Sequence, residues 1–447
     1  MRLINITTFE MKEWFEGDVQ PYAILSHTWG DQEISFQDWQ TIASFPEVLA
    51  ARPSGEDDTY AALQRRKVDA LKQRAGYRKI IDFCHAVLTA GDSRVQWVWV
   101  DTCCIDKTSS SEFSEAINSM FRWYEGSVTC YVYLADVSPH LISSLGLSAA
   151  LRTSRWFTRG WTLQELLAPN EVTFLSAEWT QIGKKKYDFF RAFVSEITGI
   201  QDTFLRSATP INQASISNRM SWASKRETTR IEDQAYCLLG IFGIHMPLLY
   251  GEGKHAFPRL QEEILKSSTD LTIFAWGFDS PIADGSGILH LNFSQLLASS
   301  PADFKFGSEL VQGSHHRSEH PFQMTNKGLN ITLEIARWGS QLPPLYFASF
   351  FRPWTYGGSW PGFLVRHIDD DNRANTEISN GDVLLKFPAG GPFIVDDESL
   401  AALGSVVERS IFIPRYSATP KRGRRGFPSE LRLQLDQPTM LANQQQW

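Results

Sequence analysis

The feature that most constrains the fold is an alternation, over roughly the first 185 residues, of short runs that are apolar end to end and longer stretches with a one-sided apolar stripe. Tyr22–Trp29 (YAILSHTW) is apolar until it turns polar at Ser26 and His27 and meets Gly30. Trp97–Val100 (WVWV) ends in Asp101-Thr102, Val128–Leu134 (VTCYVYL) leads to Asp136, and Glu171–Ser176 (EVTFLS) is a fourth run. Between them, Tyr60–Ala90 reads as two helical pieces meeting at Gly76, with Ile80, Phe83, Val87 and Leu88 on the buried side. Phe45–Thr59, rich in Pro, Gly and Asp, reads as a surface loop. Ser109 and Glu112 have capping-box spacing before a stripe of Ile117, Met120, Phe121 and Tyr124, and Gly126 closes that helix.

Strands without polar alternation need cover on both faces, which calls for an α/β domain with a mostly parallel sheet. Such sheets bind ligands at the carboxyl ends of their strands. The polar residues falling there are Ser26, His27, Asp101, Thr102 and Asp136. After the third strand comes Arg155–Pro169, RWFTRGWTLQELLAP, an arginine-flanked turn entering a short helix that Pro169 stops. Leu163, Leu166 and Leu167 form its buried side, while Trp161 and Glu165, four apart, share the other. A carboxylate beside an indole, with Arg155 and Arg159 at the entry, has the parts of a small-ligand site. The same residues also fit an ion pair on a solvated helix face.

The rest of the chain changes texture twice. Tyr187–Ile197 reads as a helix with Gly199 past its end. Thr229 and Glu232 have capping-box spacing ahead of Ile231, Ala235, Leu238 and Phe242. Lys254–Lys266 carries Phe257, Leu260 and Ile264 on one side. After Thr269, short runs at Leu271–Trp276, Ile331–Ala336, Tyr346–Phe351, Val383–Phe387 and Ser410–Pro414 are separated by Gly, Pro and Asp, the texture of antiparallel β structure. The expected organisation is an α/β domain over 1–185, a helical extension packed on it over 186–270, and a β-rich domain with a frayed tail over 271–447.

Composition narrows the function. The 447 residues are 43% hydrophobic and 21% charged, a globular balance, and the net charge of −7 argues against a general nucleic-acid surface. Five scattered cysteines with no CxxC pair argue against a zinc site or a disulfide framework. With no signal peptide and no apolar run of the ~20 residues that span a bilayer, a cytoplasmic protein is expected. Phosphate-loop, HExxH and GxSxG motifs are absent. His315-His316 with His320 lies in a polar stretch and reads as a loop rather than a metal site, and Lys421–Arg425 (KRGRR) as a solvated basic loop.

Three segments line up with a known family. AILSHTWG at Ala23–Gly30, WVDTCCIDK at Trp99–Lys107 and RGWTLQE at Arg159–Glu165 resemble the three signature blocks of the fungal heterokaryon-incompatibility (HET) domain. IEDQAYCLLGIFGIHMPLLYGEG, Ile231–Gly253, looks like the segment that follows it in vegetative-incompatibility proteins. The likeness spans roughly residues 1–270. It departs at Asp106-Lys107, where the family often has Asn-Gln. The resemblance implies a role in non-self recognition and programmed cell death, with an incompatibility partner protein and homo-oligomers as the expected associations. It also implies a distant relation to TIR domains, a flavodoxin-like fold in which a glutamate after the third strand cleaves NAD+. Trp161-Thr162-Leu163-Gln164-Glu165-Leu166 resembles that TIR block, with Thr162 in place of a Cys. By that analogy Glu165 is the candidate catalytic residue. Ser26, His27, Trp29, Asp101, Trp161, Arg155 and Arg159 are the candidate substrate-binding residues, with NAD+ as substrate and no cofactor or metal. Glu165 is expected to stay ionised beside Arg155 or Arg159, in one pocket with Ser26, His27 and Trp161. The competing reading is a non-enzymatic self-association module in which Glu165 is structural.

Overall fold

The structure, a computed structural model, describes residues 1–15, 17–50, 58–276, 296–305, 307–309, 321–326, 328–338, 345–349, 359–367, 384–387, 393–396 and 407–413. The chain divides into two compact units, one of residues 1–213 and 226–251, the other of residues 214–225 and 252–447.

In the first unit the four apolar runs are strands β3 (Tyr22–His27), β4 (Trp97–Trp99), β5 (Thr129–Tyr133) and β6 (Val172–Leu175). They are mutually parallel in the order β4-β3-β5-β6. This is the doubly wound order, and its switch point lies between β3 and β5, the place where sheets of this order take ligands. Three short strands complete the seven-stranded sheet. They are β1 (Arg2–Asn5) and β2 (Met11–Glu13) at one side and β7 (Gln181–Lys184) at the other, all joined antiparallel.

The helices are α1 (Phe36–Ala50), α2 (Asp58–Lys72), α3 (Ala75–Ala90), α4 (Ser110–Glu125), α5 (Pro139–Leu145), α6 (Leu147–Arg152), α7 (Thr162–Leu167), α8 (Asp188–Thr198) and α9 (Asp202–Leu205). The α4 start has the expected cap, the Ser109 side chain accepting from the Glu112 amide. Parallel neighbours in register point their side chains to the same face, and successive residues point to opposite faces. So Leu25 and His27 share a face with Tyr131 and Tyr133, and Ser26 shares the other with Val132 and Phe174. Helix α3 covers the first face through Phe83, packed edge-on against Tyr131. Helix α4 covers the second through Tyr124 against Trp99.

Several expectations need correction. Leu88 is 45% exposed, so the α3 stripe runs through Ile80, Phe83, Cys84 and Val87 instead. Helix α1 continues to Ala50 and α2 begins at Asp58, which leaves only 51–57 of the anticipated loop, outside the described residues. The stretch after Thr229 is not one capped helix. It forms α11 (Asp233–Tyr236) and α12 (Leu239–Phe242), which begins without a side-chain cap. Thr229 instead accepts from Arg159, Ile231 is 39% exposed, and only Ala235 and Leu238 of the proposed stripe are fully buried.

The second unit holds α10 (Ile216–Ala223) and α13 (Ala256–Ser267), whose Phe257, Leu260 and Ile264 are buried as expected. Leu271–Phe274, read as a strand, is a 3₁₀ turn, because the Asp270 side chain accepts from the Thr272 amide and tightens the chain there. The β structure expected beyond it is antiparallel. A core of β8 (Gln323–Thr325), β9 (Gly328–Trp338) and β14 (Val407–Ile413) is extended by β10 (Leu345–Ser349), β11 (Ser359–His367), β12 (Leu384–Phe387) and β13 (Phe393–Asp396). His315, His316, His320 and Lys421–Arg425 lie outside the described residues. Among the described residues no helix is long and apolar enough to cross a membrane.

Candidate functional site

The carboxyl end of β3 is flanked by two side-chain clusters, one on each face of the sheet. On the α4 face, Ser26 receives a hydrogen bond from the Trp156 indole N–H at 2.7 Å and donates its hydroxyl to the Glu165 carboxyl. Trp156 is placed by the 3₁₀ turn Arg155–Thr158. Asp136 fixes that turn, accepting from the Ser154 hydroxyl and the Arg155 amide, both at 2.8 Å. Asp136, one of the polar rim residues, is therefore an anchor of the turn.

Glu165 is placed by α7, whose six residues are all buried. Both ends of this short helix are held by cations. Arg226 donates to the Arg159 carbonyl and to the Thr162 hydroxyl, each at 2.8 Å. Lys185 donates to the carbonyls of Leu166 and Pro169, at the end where helix carbonyls lack partners. The strand-like pairing of 158–160 with Glu227 brings Gly160 against Thr228, and a Cβ there would lie 2.5 Å from the Thr228 methyl carbon. Only glycine lets the two segments approach this closely.

The electrostatics of Glu165 depart from expectation. Burial pushes its carboxyl up to about 8, against the opposing pull of the Ser26 hydrogen bond. The Asp101 charge adds to the rise, while Tyr124 and the Arg226 guanidinium oppose it. Ser26 spends its one proton on Glu165, and Tyr124 spends its own on the Leu25 carbonyl at 3.0 Å. With its carboxyl raised to about 8, Glu165 is mostly the neutral acid at pH 7, at a preference of roughly 1.4 kcal/mol over the charged form.

On the α3 face the cluster is of another kind. His27, its side chain 1% exposed, has its Nε2 3.7 Å from Asp101 Oδ1 and 4.0 Å from Glu33 Oε2. Neither His27 nitrogen, neither of those oxygens and not the Thr102 hydroxyl has a hydrogen-bond partner, although all five atoms are buried. Burial, with Lys79 and Lys107 nearby, holds His27 well below the usual imidazole range, so it is neutral. Burial also raises Asp101, while Lys107 and the Trp29 indole lower it. Trp29 donates to Asp101 Oδ2 at 2.8 Å and carries the Lys107 ammonium 3.7 Å above its ring. Lys79 pairs with the other oxygen of Glu33, which also accepts from the Gly30 amide.

The expected single pocket is thus divided. Ser26 contacts Glu165, whereas His27, Trp29 and Asp101 gather on the far side of the strand because neighbouring residues in β3 face opposite ways. Trp161 is the N-cap residue of α7 and hydrogen-bonds Asp233. Arg155 is exposed and reaches Asp136 only through its backbone, and Arg159 bonds Thr229. The arginine acting on Glu165 is Arg226, some sixty residues later in the chain. Trp156, Tyr124, Arg226 and Lys185 were not singled out as site residues, nor were Glu33, Lys79 and Lys107. Lys107 sits at one of the two positions that depart from the family pattern.

Comparison with known proteins adds three results. Residues 22–146 match the heterokaryon incompatibility protein (HET) family, and residues 255–332 match a domain of unknown function (DUF8212). The chain is similar to vegetative incompatibility protein HET-E-1 of Podospora anserina, 43% identical over 261 residues, which is 57% of this chain and 17% of that relative. No solved structure matches. The HET match covers β3, β4 and β5 with all the residues of the α3-face cluster and with Ser26 and Tyr124 of the other, but not α7, the turn before it, Lys185 or Arg226, and the chain carries a heterokaryon-incompatibility (HET) domain.

Proposed function

We propose that the chain is an effector of the heterokaryon-incompatibility response and that its chemistry is cleavage of the nicotinamide–ribose bond of NAD+. The supporting observation is the meeting of Ser26 with Glu165 at the sheet's switch point, in a chain 43% identical to a vegetative incompatibility protein over 261 residues. Nicotinamide is a good leaving group, so the bond breaks through a cation-like ribose that an adjacent carboxylate stabilises. A neutral Glu165 cannot do this. Activity therefore requires the carboxyl to lose its proton and its enclosure, by a rise in pH or by a change in how α7 and the Arg226 segment sit.

Purified protein incubated with NAD+ should release nicotinamide, with a rate that climbs as pH approaches about 8, the value to which Glu165 is raised. Glu165→Gln should abolish release while remaining folded, since the amide oxygen can still accept from the Ser26 hydroxyl. Full activity in a folded Glu165→Gln protein would remove Glu165 from the mechanism. The second reading, a self-association module in which Glu165 is structural, is favoured by its 7% exposure and neutral state. It predicts no nicotinamide release from the assembled protein at any pH.

A further inference from the structure

We propose that the cluster on the α3 face of β3 binds a vicinal diol on a sugar ring, with Asp101 and Glu33 accepting from the two hydroxyls and His27 completing the set. Three observations carry this. First, five buried polar atoms on four residues, His27 Nδ1 and Nε2, Glu33 Oε2, Asp101 Oδ1 and Thr102 Oγ1, have no partner, and His27 Nε2 lies within 4.0 Å of both carboxylate oxygens. Buried polar groups in folded proteins are nearly always paired, so the three orphans that meet at His27 Nε2 mark a place for a polar ligand atom.

Second, the local charge is already balanced. Lys79 pairs with Glu33, and Lys107 acts on Asp101, while His27 is neutral. A cation would meet two ammonium groups, and among the described residues no group of His, Cys, Asp or Glu has the arrangement to hold a metal ion. The complement of two free acceptors and a neutral imidazole is a neutral group with two donors. Adjacent hydroxyls supply two donors and also an acceptor for an imidazole N–H.

Third, the outer wall is Trp29, 49% exposed and held by one hydrogen bond to Asp101 and one contact with Lys107. Turning this indole outward opens the cluster and leaves a flat apolar face beside it, suited to the C–H side of a sugar ring. The place is the strand end at the switch point, where sheets of this order take ligands.

The inference deepens the proposed function by giving the same strand end a ligand class, but it stands on a different set of residues from Glu165. Calorimetric titration of the full chain with adenosine 5′-monophosphate, its 2′-deoxy and 3′-deoxy analogues, and free ribose tests it. At least tenfold weaker binding when either hydroxyl is missing is the expected result. Binding of free ribose would assign the site to sugars in general, and its absence alongside nucleotide binding would assign it to a nucleotide-borne ribose. Glu33→Gln should erase the discrimination between the nucleotide and its deoxy analogues. The analogue comparison on the unmodified chain stands even if that variant fails to fold. Equal affinity for the deoxy compounds, or no binding by any probe at millimolar concentration, would overturn the inference and leave a cluster that holds water only. Nicotinamide release measured on the same preparation keeps the two proposals apart. Release without diol discrimination sinks this inference alone, and diol discrimination without release sinks NAD+ cleavage alone.

Discussion

Ser26 and His27 are consecutive residues of one strand, yet they end in opposite chemistries. On the Ser26 side, Trp156, Ser26, Glu165 and Tyr124 form a closed chain of hydrogen bonds around a carboxyl that is neutral. On the His27 side, charged groups stand within 4.0 Å of a neutral imidazole without hydrogen-bonding it. The difference teaches that a polar strand end is two half-sites, assigned by the parity of the residue number. One half is built to hold a helix in place, and the other is left with unused hydrogen-bonding capacity.

This contrast can be broken most forcefully at Trp156. It is 1% exposed and packs edge-on against Phe157 and Phe174 while donating to Ser26. Trp156→Ala should cost about 3–5 kcal/mol of unfolding free energy, the range for a buried aromatic losing its packing. A loss under ~1 kcal/mol in denaturant titration would mean that the cluster is not closed.

Ser26→Ala comes next. It deletes the acceptor for the indole and the donor to Glu165 together, and leaving buried groups unpaired costs about 1–3 kcal/mol. The carboxyl should then hold its proton to still higher pH, because the removed hydrogen bond favours the charged form.

The smallest effect is expected on the other face. His27→Leu removes a buried side chain that makes no hydrogen bond, so stability should change by less than about 1 kcal/mol or increase. If His27→Leu proved as damaging as Ser26→Ala, the α3-face cluster would be as fully paired as its counterpart and the comparison would fail.

The legible parts of the sequence were those where one signal dominates. The four parallel strands are apolar end to end, and α3 and α4 have long stripes, so period and length alone identify them. Strands β1, β2 and β7 have three or four residues each, too few for an alternation to register. The stretch from Thr229 to Phe242 imitates a capped helix, but its Thr229 hydroxyl goes to Arg159 and the chain breaks into two short helices. At the site, Ser26 and Glu165 were legible as a pair. Their state was not, because the neutrality of Glu165 depends on burial and on Tyr124 and Arg226, which are forty residues before it and sixty after. The separation of His27 from Ser26 was available in principle from strand parity, yet both were placed in one pocket because both are polar and both lie at the rim.

The central claim is that Glu165 is buried as a neutral acid. Its carboxyl is raised from 4.5 in the unfolded chain to about 8 in the folded one. Folding then retains a proton that the unfolded chain loses, so this group's contribution is fully present below pH 4.5 and is lost as pH rises through about 8. The direct measurement is the unfolding free energy of the wild-type and Glu165→Gln proteins across pH 4.5 to 9, taken as a difference to cancel every other titrating group. The wild-type protein should lose up to about 5 kcal/mol relative to the glutamine variant over that window. A difference that stays flat, or one in which the wild type gains stability as pH rises, would show that Glu165 is ionised in the folded protein and contradict the account.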